Sequence, residues 1–198
     1  MKLVFATNNA HKLAEARKIL SDIEILSLDS LCLQADIPED GNTLQDNSLF
    51  KAEFVAGWLR KNMPVSDIQG CFADDTGLEI EALGGAPGVY TARYAGEPTD
   101  SAANRRKVLE ELRGKDNRAA QFRTVMTLIT FEGEENSISQ FEGIVRGQMA
   151  TEERGERGFG YDSIFIPEGY SETFAQLPEE TKNSISHRSR ALKKMRRG

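Results

Sequence analysis

The apolar positions along this chain change period several times, and each change marks an element. Lys2 to Ala6 is a short apolar run ended by Thr7-Asn8-Asn9, after which Leu13, Ala16, Ile19 and Leu20 recur at helix spacing. A strand, a turn and a helix are expected there. Glu24 to Ser27 offers a second short strand, and Thr43 caps a long helix to about Arg60 whose stripe is Leu44, Ser48, Ala52, Val55 and Leu59. Cys71 to Asp74 reads as a buried strand with carboxylates at its end, and Leu78 to Ala82 as another short strand before the bend Gly84-Gly85-Ala86-Pro87-Gly88. Asp100 to about Leu112 is an amphipathic helix closed by Gly114. Ala120 to Glu132 and Ser137 to Arg146 are longer strands joined by the turn-rich Gly133-Glu134-Glu135-Asn136, which predicts an antiparallel hairpin. Ser163 to Pro167 is a last strand, and Asn183 to the end is mainly helical. The fold class that follows is α/β, a mixed sheet flanked by helices.

Length leaves this picture intact: 198 residues suffice for one well-buried core or two intimately packed lobes, so residues 1–198 are read as a single domain. Hydrophobic residues at 39% and charged residues at 28% exclude a disordered or membrane-like composition. No run approaches the ~18 apolar residues of a spanning helix, and Met1-Lys2-Leu3-Val4-Phe5 enters a strand without a signal-peptide core. A cytoplasmic protein with no membrane partner is the expectation. Cys32 and Cys71 are too few for a disulfide framework or a sulfur-rich zinc site and are read as plain core residues. A net charge of -6 argues against a nucleic-acid polymer as partner. The charge is uneven, with acidic residues gathered at Glu39 to Asp46 and Asp74 to Glu81 and a basic tail read as a solvated helix face.

Four segments could carry chemistry. Thr7-Asn8-Asn9-Ala10-His11-Lys12 joins the first strand to the first helix, where free amides, the helix dipole and Lys12 would favour a phosphate. An ordinary Asn N-cap fits the same spacing, since the loop is no Walker motif. Asp74-Asp75-Thr76-Gly77 follows an apolar strand: one carboxylate can face a site while the other holds a turn that Gly77 allows, and Mg²⁺ takes such oxygen ligands, with Glu39 as a partner carboxylate. A plain turn is the alternative. Gly158-Phe159-Gly160-Tyr161-Asp162 would let Phe159 or Tyr161 stack on a planar base, although such turns are commonly structural. Ser186-His187-Arg188, preceded by Lys182, offers cations for phosphate or base oxygens, or else a helix start capped by Ser184 or Ser186. His11 and His187 are the only histidines, which leaves a two-histidine metal centre without support.

Taken together and in this order, these segments resemble the noncanonical purine nucleoside triphosphate pyrophosphatase family, the inosine triphosphatase-like enzymes. The resemblance spans essentially the whole chain and is strongest at Ala73-Asp74-Asp75-Thr76-Gly77-Leu78, at residues 83–94 (Leu83-Gly84-Gly85-Ala86-Pro87-Gly88-Val89-Tyr90-Thr91-Ala92-Arg93-Tyr94), and at Gly158-Phe159-Gly160-Tyr161-Asp162. It implies an elongated mixed sheet in two lobes with a central nucleotide cleft, usually as a homodimer. The turn Thr7, Asn8, Asn9, Ala10, His11, Lys12 would hold the triphosphate. Asp75 would be the catalytic base and a Mg²⁺ ligand, Glu39 a second metal carboxylate, and Thr76 a substrate contact. Phe159, Gly160, Tyr161 and Asp162 would form the base-stacking segment, and Lys182, His187 and Arg188 would read phosphate and the 6-oxo edge of the purine. Asn8 stands where many members have Gly and Thr76 where many have Ser; Asn tolerates a positive φ.

The implied activity is hydrolysis of inosine, deoxyinosine or xanthosine triphosphate to the monophosphate and pyrophosphate, which clears damaged nucleotides. Asp75 would activate a water for in-line attack at the α-phosphorus while Lys12 and the helix start stabilise the growing charge. The competing readings are a septum-inhibitor-like nucleotide pyrophosphatase of the same architecture and a nucleotide-binding module without turnover.

Overall fold

Alternation along β1 (Lys2–Phe5) sends Leu3 and Phe5 to one side of a sheet and Val4, with Ala6 just beyond, to the other. Leu3 and Phe5 pack with Ala16 of α1 (Ala10–Ile19), with Leu20 at its C-cap, and with Ala191, Leu192 and Met195 of α5 (His187–Met195). Val4 and Ala6 pack with Ala52, Val55, Ala56 and Leu59 of α2 (Leu44–Asn62). The result is a sheet with a helical layer on each face. β1 pairs in parallel with β2 (Glu24–Leu26) and with β3 (Gly70–Ile80), Val4 lying opposite Leu26 and Cys71. Parallel pairing is what an intervening helix on each crossover requires.

The computed structural model describes residues 1–34, 37, 39–64 and 67–197. The chain divides into two units: the first is Met1–Asp75, Thr124–Gly143 and Ser189–Gly198, and the second is Thr76–Arg123 and Ile144–Arg188. The first unit is the α/β arrangement just described, its strands hydrogen-bonded in the order β2-β1-β3-β5-β6, with β5 at Ala119–Glu132 and β6 at Glu135–Met149. In the second, β4 (Pro87–Gly88) pairs antiparallel with β3, and β7 (Phe165–Pro167) pairs antiparallel with β6. Its core joins Leu78, Ile80, Phe122, Val145, Met149, Phe165 and Phe174 to Val108 of α3 (Ser101–Glu111), a helix capped by Asp100, which accepts from Ala102 N and Ala103 N. The mixed α/β class expected from the pattern is therefore what the chain forms. No described helix is long and apolar enough to cross a membrane.

Several expected details differ. No turn follows Asp75: β3 runs unbroken from Gly70 to Ile80, because Leu78 and Glu79 pair with β4 and Leu78 N donates to Thr91 Oγ1 at 2.8 Å. Residues 81–83 form a single 3₁₀ turn where the second short strand was expected to continue. The hairpin loop is only Gly133 and Glu134. The C-terminal helix starts earlier and is split: α4 (Glu179–Ile185) ends at Ser186, whose ψ of 157° interrupts the helix before α5. Gly198, the last residue of that expected helix, lies outside the described residues. Cys71 is buried, but Cys32 is exposed, because it ends a 3₁₀ turn in the left-handed region at φ 54°. Asn8 keeps a negative φ.

Candidate active site

In the first unit the side chains of Asp74 and Asp75 belong to opposite layers. Cys71 and Ala73 pack toward α2 and Phe72 toward α1, so alternation puts Asp75 beside α2 and Asp74 beside α1. Lys12 Nζ donates to Asp74 Oδ1 at 3.0 Å. Lys51 Nζ lies 3.8 Å from Asp75 Oδ1 and bonds Glu39 Oε1. Asn47 Nδ2 donates to Asp75 Oδ2 at 3.0 Å. The predicted pair Glu39 and Asp75 thus converges on one ammonium. Thr7 Oγ1 accepts from Asn9 N at 3.1 Å, and Asn9 Oδ1 accepts from His11 N and Lys12 N. Asn9 is thus a true N-cap, and an anion at this turn would meet the positive end of α1 and the Lys12 ammonium. Asn8, Ala10 and His11 are exposed.

Burial pushes the Asp75 carboxyl above its ordinary range; Lys51 and Lys12 pull it down, Glu39 adds to the rise, and the net direction is up. Burial alone would lower Lys51, but Asp75, Glu39 and Asp74 outweigh it and hold the ammonium above its usual value. Glu39 and Asp75 therefore flank Lys51 on the α2 side of the strand, while Asp74 pairs with Lys12 on the α1 side. Two carboxylates as oxygen donors suit a hard divalent cation, which commonly takes one or two carboxylates and completes its shell with water and phosphate oxygens. Among the described residues no group of three or more His, Cys, Asp or Glu is placed to hold a metal ion, so a cation here would rest on this carboxylate pair together with water and substrate oxygens.

The second unit assembles the remaining predicted residues around Phe159. Asp162 Oδ2 accepts from Phe159 N at 2.9 Å and from Lys182 Nζ at 2.7 Å. Lys182 Nζ lies 4.9 Å from the centroid of the Phe159 ring and the Arg188 guanidinium carbon 5.8 Å from it. Arg188 Nη2 donates to Thr76 Oγ1 at 3.4 Å, a long contact. His187 stacks on Phe122, centroids 4.7 Å apart. Gly160 O accepts from Arg105 Nη1 at 2.8 Å. Lys182 and Arg188 are buried at 5% and 2% exposure, so the group places two cations against one carboxylate in a low-dielectric setting suited to anionic or oxo groups. Gly158 is required here: its φ is 76°, and an added Cβ would lie 2.1 Å from Asp162 Oδ2.

Tyr161 is not a stacking ring. It is buried in the core and its hydroxyl donates to Thr91 O at 2.7 Å, which leaves Phe159, half-buried, as the aromatic face of the segment. Lys51 and Asn47 are the residues that sequence reasoning missed. Both lie beside Ser48 and Ala52 on the buried stripe of α2, and polar groups on such a face were the available signal. Arg105 and Phe122, which position Gly160 and His187, carried no comparable mark.

A mixed α/β protein with an acidic, ammonium-bridged group in one unit and an aromatic, cation-lined group in the other is the class these features define. The chain belongs to the Ham1 family, whose model matches residues 3–198. It is 53% identical over 197 residues to the dITP/XTP pyrophosphatase of Porphyromonas gingivalis, covering 98% of this chain and 95% of that protein. It is 44% identical to the dITP/XTP pyrophosphatase of Bacillus subtilis, over 97% of this chain and 93% of the relative. Its fold matches the Ham1 protein of Staphylococcus aureus with a TM-score of 0.84 at 36% identity, over 100% of this chain and 97% of the other, and the HAM1 protein of Coxiella burnetii with a TM-score of 0.82 at 36% identity, over 98% and 96%.

Proposed function

We propose that this chain is a nucleoside triphosphate pyrophosphatase that hydrolyses noncanonical purine nucleotides, ITP, dITP and XTP, to the monophosphate and pyrophosphate. The observation that carries the reading is the convergence of Glu39, Lys51 and Asn47 on Asp75 in a chain 53% identical to a dITP/XTP pyrophosphatase. Asp75 is the general base. A water gives up its proton to the carboxylate as its oxygen bonds to the α-phosphorus; the bond from that phosphorus to the bridging oxygen breaks, and pyrophosphate leaves with the electron pair. Glu39 and Asp75 would hold Mg²⁺, which when bound supplies Lewis-acid stabilisation of phosphate oxygens. Thr7, Asn8, Asn9, Ala10, His11 and Lys12 bind the phosphates through the α1 start and the Lys12 ammonium.

Phe159 stacks on the base, with Gly160, Tyr161 and Asp162 shaping its support and Thr76 as a further substrate contact. His187 and Arg188 donate to the 6-oxo group, and Lys182 adds positive charge. Adenine presents an amino donor at that edge, and each buried donor left unpaired costs roughly 1–3 kcal/mol. The two units act as one domain in this reading. The same reading places a homodimer in the cytoplasm, without a nucleic-acid polymer as partner. Phe50 and Phe54, one turn apart on α2 and about half exposed, are apolar surface that a second copy could cover.

Pyrophosphate release with Mg²⁺ and ITP, XTP, GTP or ATP tests the reading. A kcat/KM for ITP and XTP at least about a hundredfold above that for ATP is expected, together with loss of turnover in Asp75→Asn. Equal rates on all four would leave a general nucleotide pyrophosphatase, and a fully active Asp75→Asn enzyme would remove Asp75 from the chemistry.

A further inference from the structure

Asn47 sits at 1% exposure on the buried face of α2, and its amide is used at both ends. Oδ1 accepts from Gly41 N at 2.7 Å, and Nδ2 donates to Asp75 Oδ2 at 3.0 Å. This orientation is fixed by chemistry, because a backbone N–H can only donate and a carboxylate oxygen accepts; the flipped amide would oppose donor to donor and acceptor to acceptor. Gly41 is fitted closely to this side chain. A Cβ added there would lie 2.7 Å from Asn47 Oδ1 and 2.8 Å from Asp46 Cβ. The loop carrying Glu39 is therefore tied, two residues downstream, to the same amide that grips Asp75.

We infer that Asn47 is a positioning residue of the proposed hydrolysis: it fixes the rotation of the Asp75 carboxylate and sets the distance between that carboxylate and the Glu39 loop. The inference rests on Asp75 being the base. A carboxylate on an extended strand rotates about two bonds, and burial alone does not choose among its rotamers. Nδ2 engages Oδ2, which leaves Oδ1 on the Lys51 side, 3.8 Å from Nζ. Ser48, the next residue, holds the helix to the strand from its own side by donating to Ala73 O at 3.1 Å and contacting Thr127 Oγ1 at 2.8 Å. α2 is thereby pinned to β3 and β5 at the residue next to the amide, which limits how far Asn47 can follow a moving carboxylate. Its contribution is orientation, which belongs to the chemical step more than to nucleotide binding.

Two substitutions separate this role from simple support of the loop. Asn47→Asp keeps an acceptor for Gly41 N but turns the donor to Asp75 into an acceptor that can carry charge; Asn47→Ala removes both contacts and adds no charge. Steady-state turnover of ITP, thermal unfolding, and calorimetric binding of ITP to the metal-free protein in EDTA are measured for both, alongside Asp75→Asn. For Asn47→Asp, kcat should fall roughly tenfold to a hundredfold while KM and metal-free binding stay within about threefold. Wild-type kcat in Asn47→Asp, with only Asn47→Ala impaired, would reduce the residue to a loop support and overturn the inference. Should Asn47→Asp fail to unfold cooperatively, Asn47→Ala decides: a loss confined to kcat supports positioning, and an unchanged kcat overturns it. An inactive Asp75→Asn beside a fully active Asn47→Asp sinks this inference alone, whereas an active Asp75→Asn sinks the reading beneath it.

Discussion

Lys12 bonds Asp74 and leaves the neighbouring carboxylate to Lys51. Asp74 and Asp75 are consecutive in β3, yet Lys12 of α1 holds the first at 3.0 Å and Lys51 of α2 stands 3.8 Å from the second. The pleat of one strand is enough to give two adjacent acids separate counter-ions in separate layers. Asp74 pairs with Lys12, while Asp75 accepts from Asn47 and shares Lys51 with Glu39.

Lys51→Met should leave Glu39 and Asp75 facing one another without their shared cation. Breaking a buried pair in this way costs about 3–5 kcal/mol, and a loss near the lower end is expected in urea unfolding. Adding Asp75→Asn to Lys51→Met should recover about 1 kcal/mol or more, because the two changes act on one interaction. Strictly additive losses would mean that Lys51 and Asp75 are energetically independent.

Gly158→Ala should disturb the Phe159 segment without touching any reacting group. Its φ of 76° disfavours a side chain, and the new Cβ would sit 2.1 Å from Asp162 Oδ2, the atom that accepts from Phe159 N and Lys182 Nζ. Strain of this kind costs on the order of 1–3 kcal/mol. A lower midpoint in thermal unfolding and a raised KM for ITP are expected; an unchanged KM would separate the Asp162 pairings from base binding.

Phe159→Ala should weaken every purine nucleotide alike. Stacking is worth about 1–3 kcal/mol per base and does not read the base edge, so KM should rise roughly tenfold or more for ITP and GTP by the same factor, with kcat less affected. Parallel kinetics on both nucleotides check this. A loss confined to one of them would assign Phe159 a part in discrimination, which the proposal reserves for His187 and Arg188.

Burial pushes the Cys71 thiol up to about 12 from an ordinary 9.0, while its Sγ donates to Ala52 O at 3.3 Å. The folded state keeps this proton over a range in which the unfolded chain releases it. Stability should accordingly fall as pH rises above 9.0 and on toward 12, by about 1.4 kcal/mol per pH unit for this one group. Denaturant unfolding at pH 8 and pH 10 should show a smaller alkaline loss in Cys71→Ala than in the wild type. Equal losses in both would show that the thiol is not what the alkaline limb reports.

The strand-turn-helix at Thr7 to Lys12 was legible because all of its causes are local: an apolar run, an Asn able to cap, and a helical period begin and end within twenty residues. The acidic pair was legible by composition but not by geometry. Gly77 looks like a turn, and only pairing with Pro87 and Gly88 keeps the strand straight through it. Lys51 and Asn47 stayed hidden for a similar reason: their polar side chains on the buried stripe of α2 were a signal, but their shared partner Asp75 lies on β3, 24 and 28 residues away in sequence. Tyr161 was misplaced because a glycine-flanked aromatic can face a ligand or a core, and its hydroxyl partner Thr91 is 70 residues distant. The break at Ser186 was half legible: Ser184 and Ser186 were readable as caps of a helix start, but with neither Gly nor Pro nearby nothing marked the end of a preceding helix.

Lys182 lies near the end of α4 and His187 and Arg188 begin α5, with the extended backbone of Ser186 between them. Each residue of helix turns the chain by about 100°, so gaining or losing a single codon in this interval would swing one cation set away from Phe159, whereas a swap at exposed Ser184 would not. The number of residues across this joint is therefore as much a part of the cation arrangement as the buried Ser186 and the core-packed Ile185 within it.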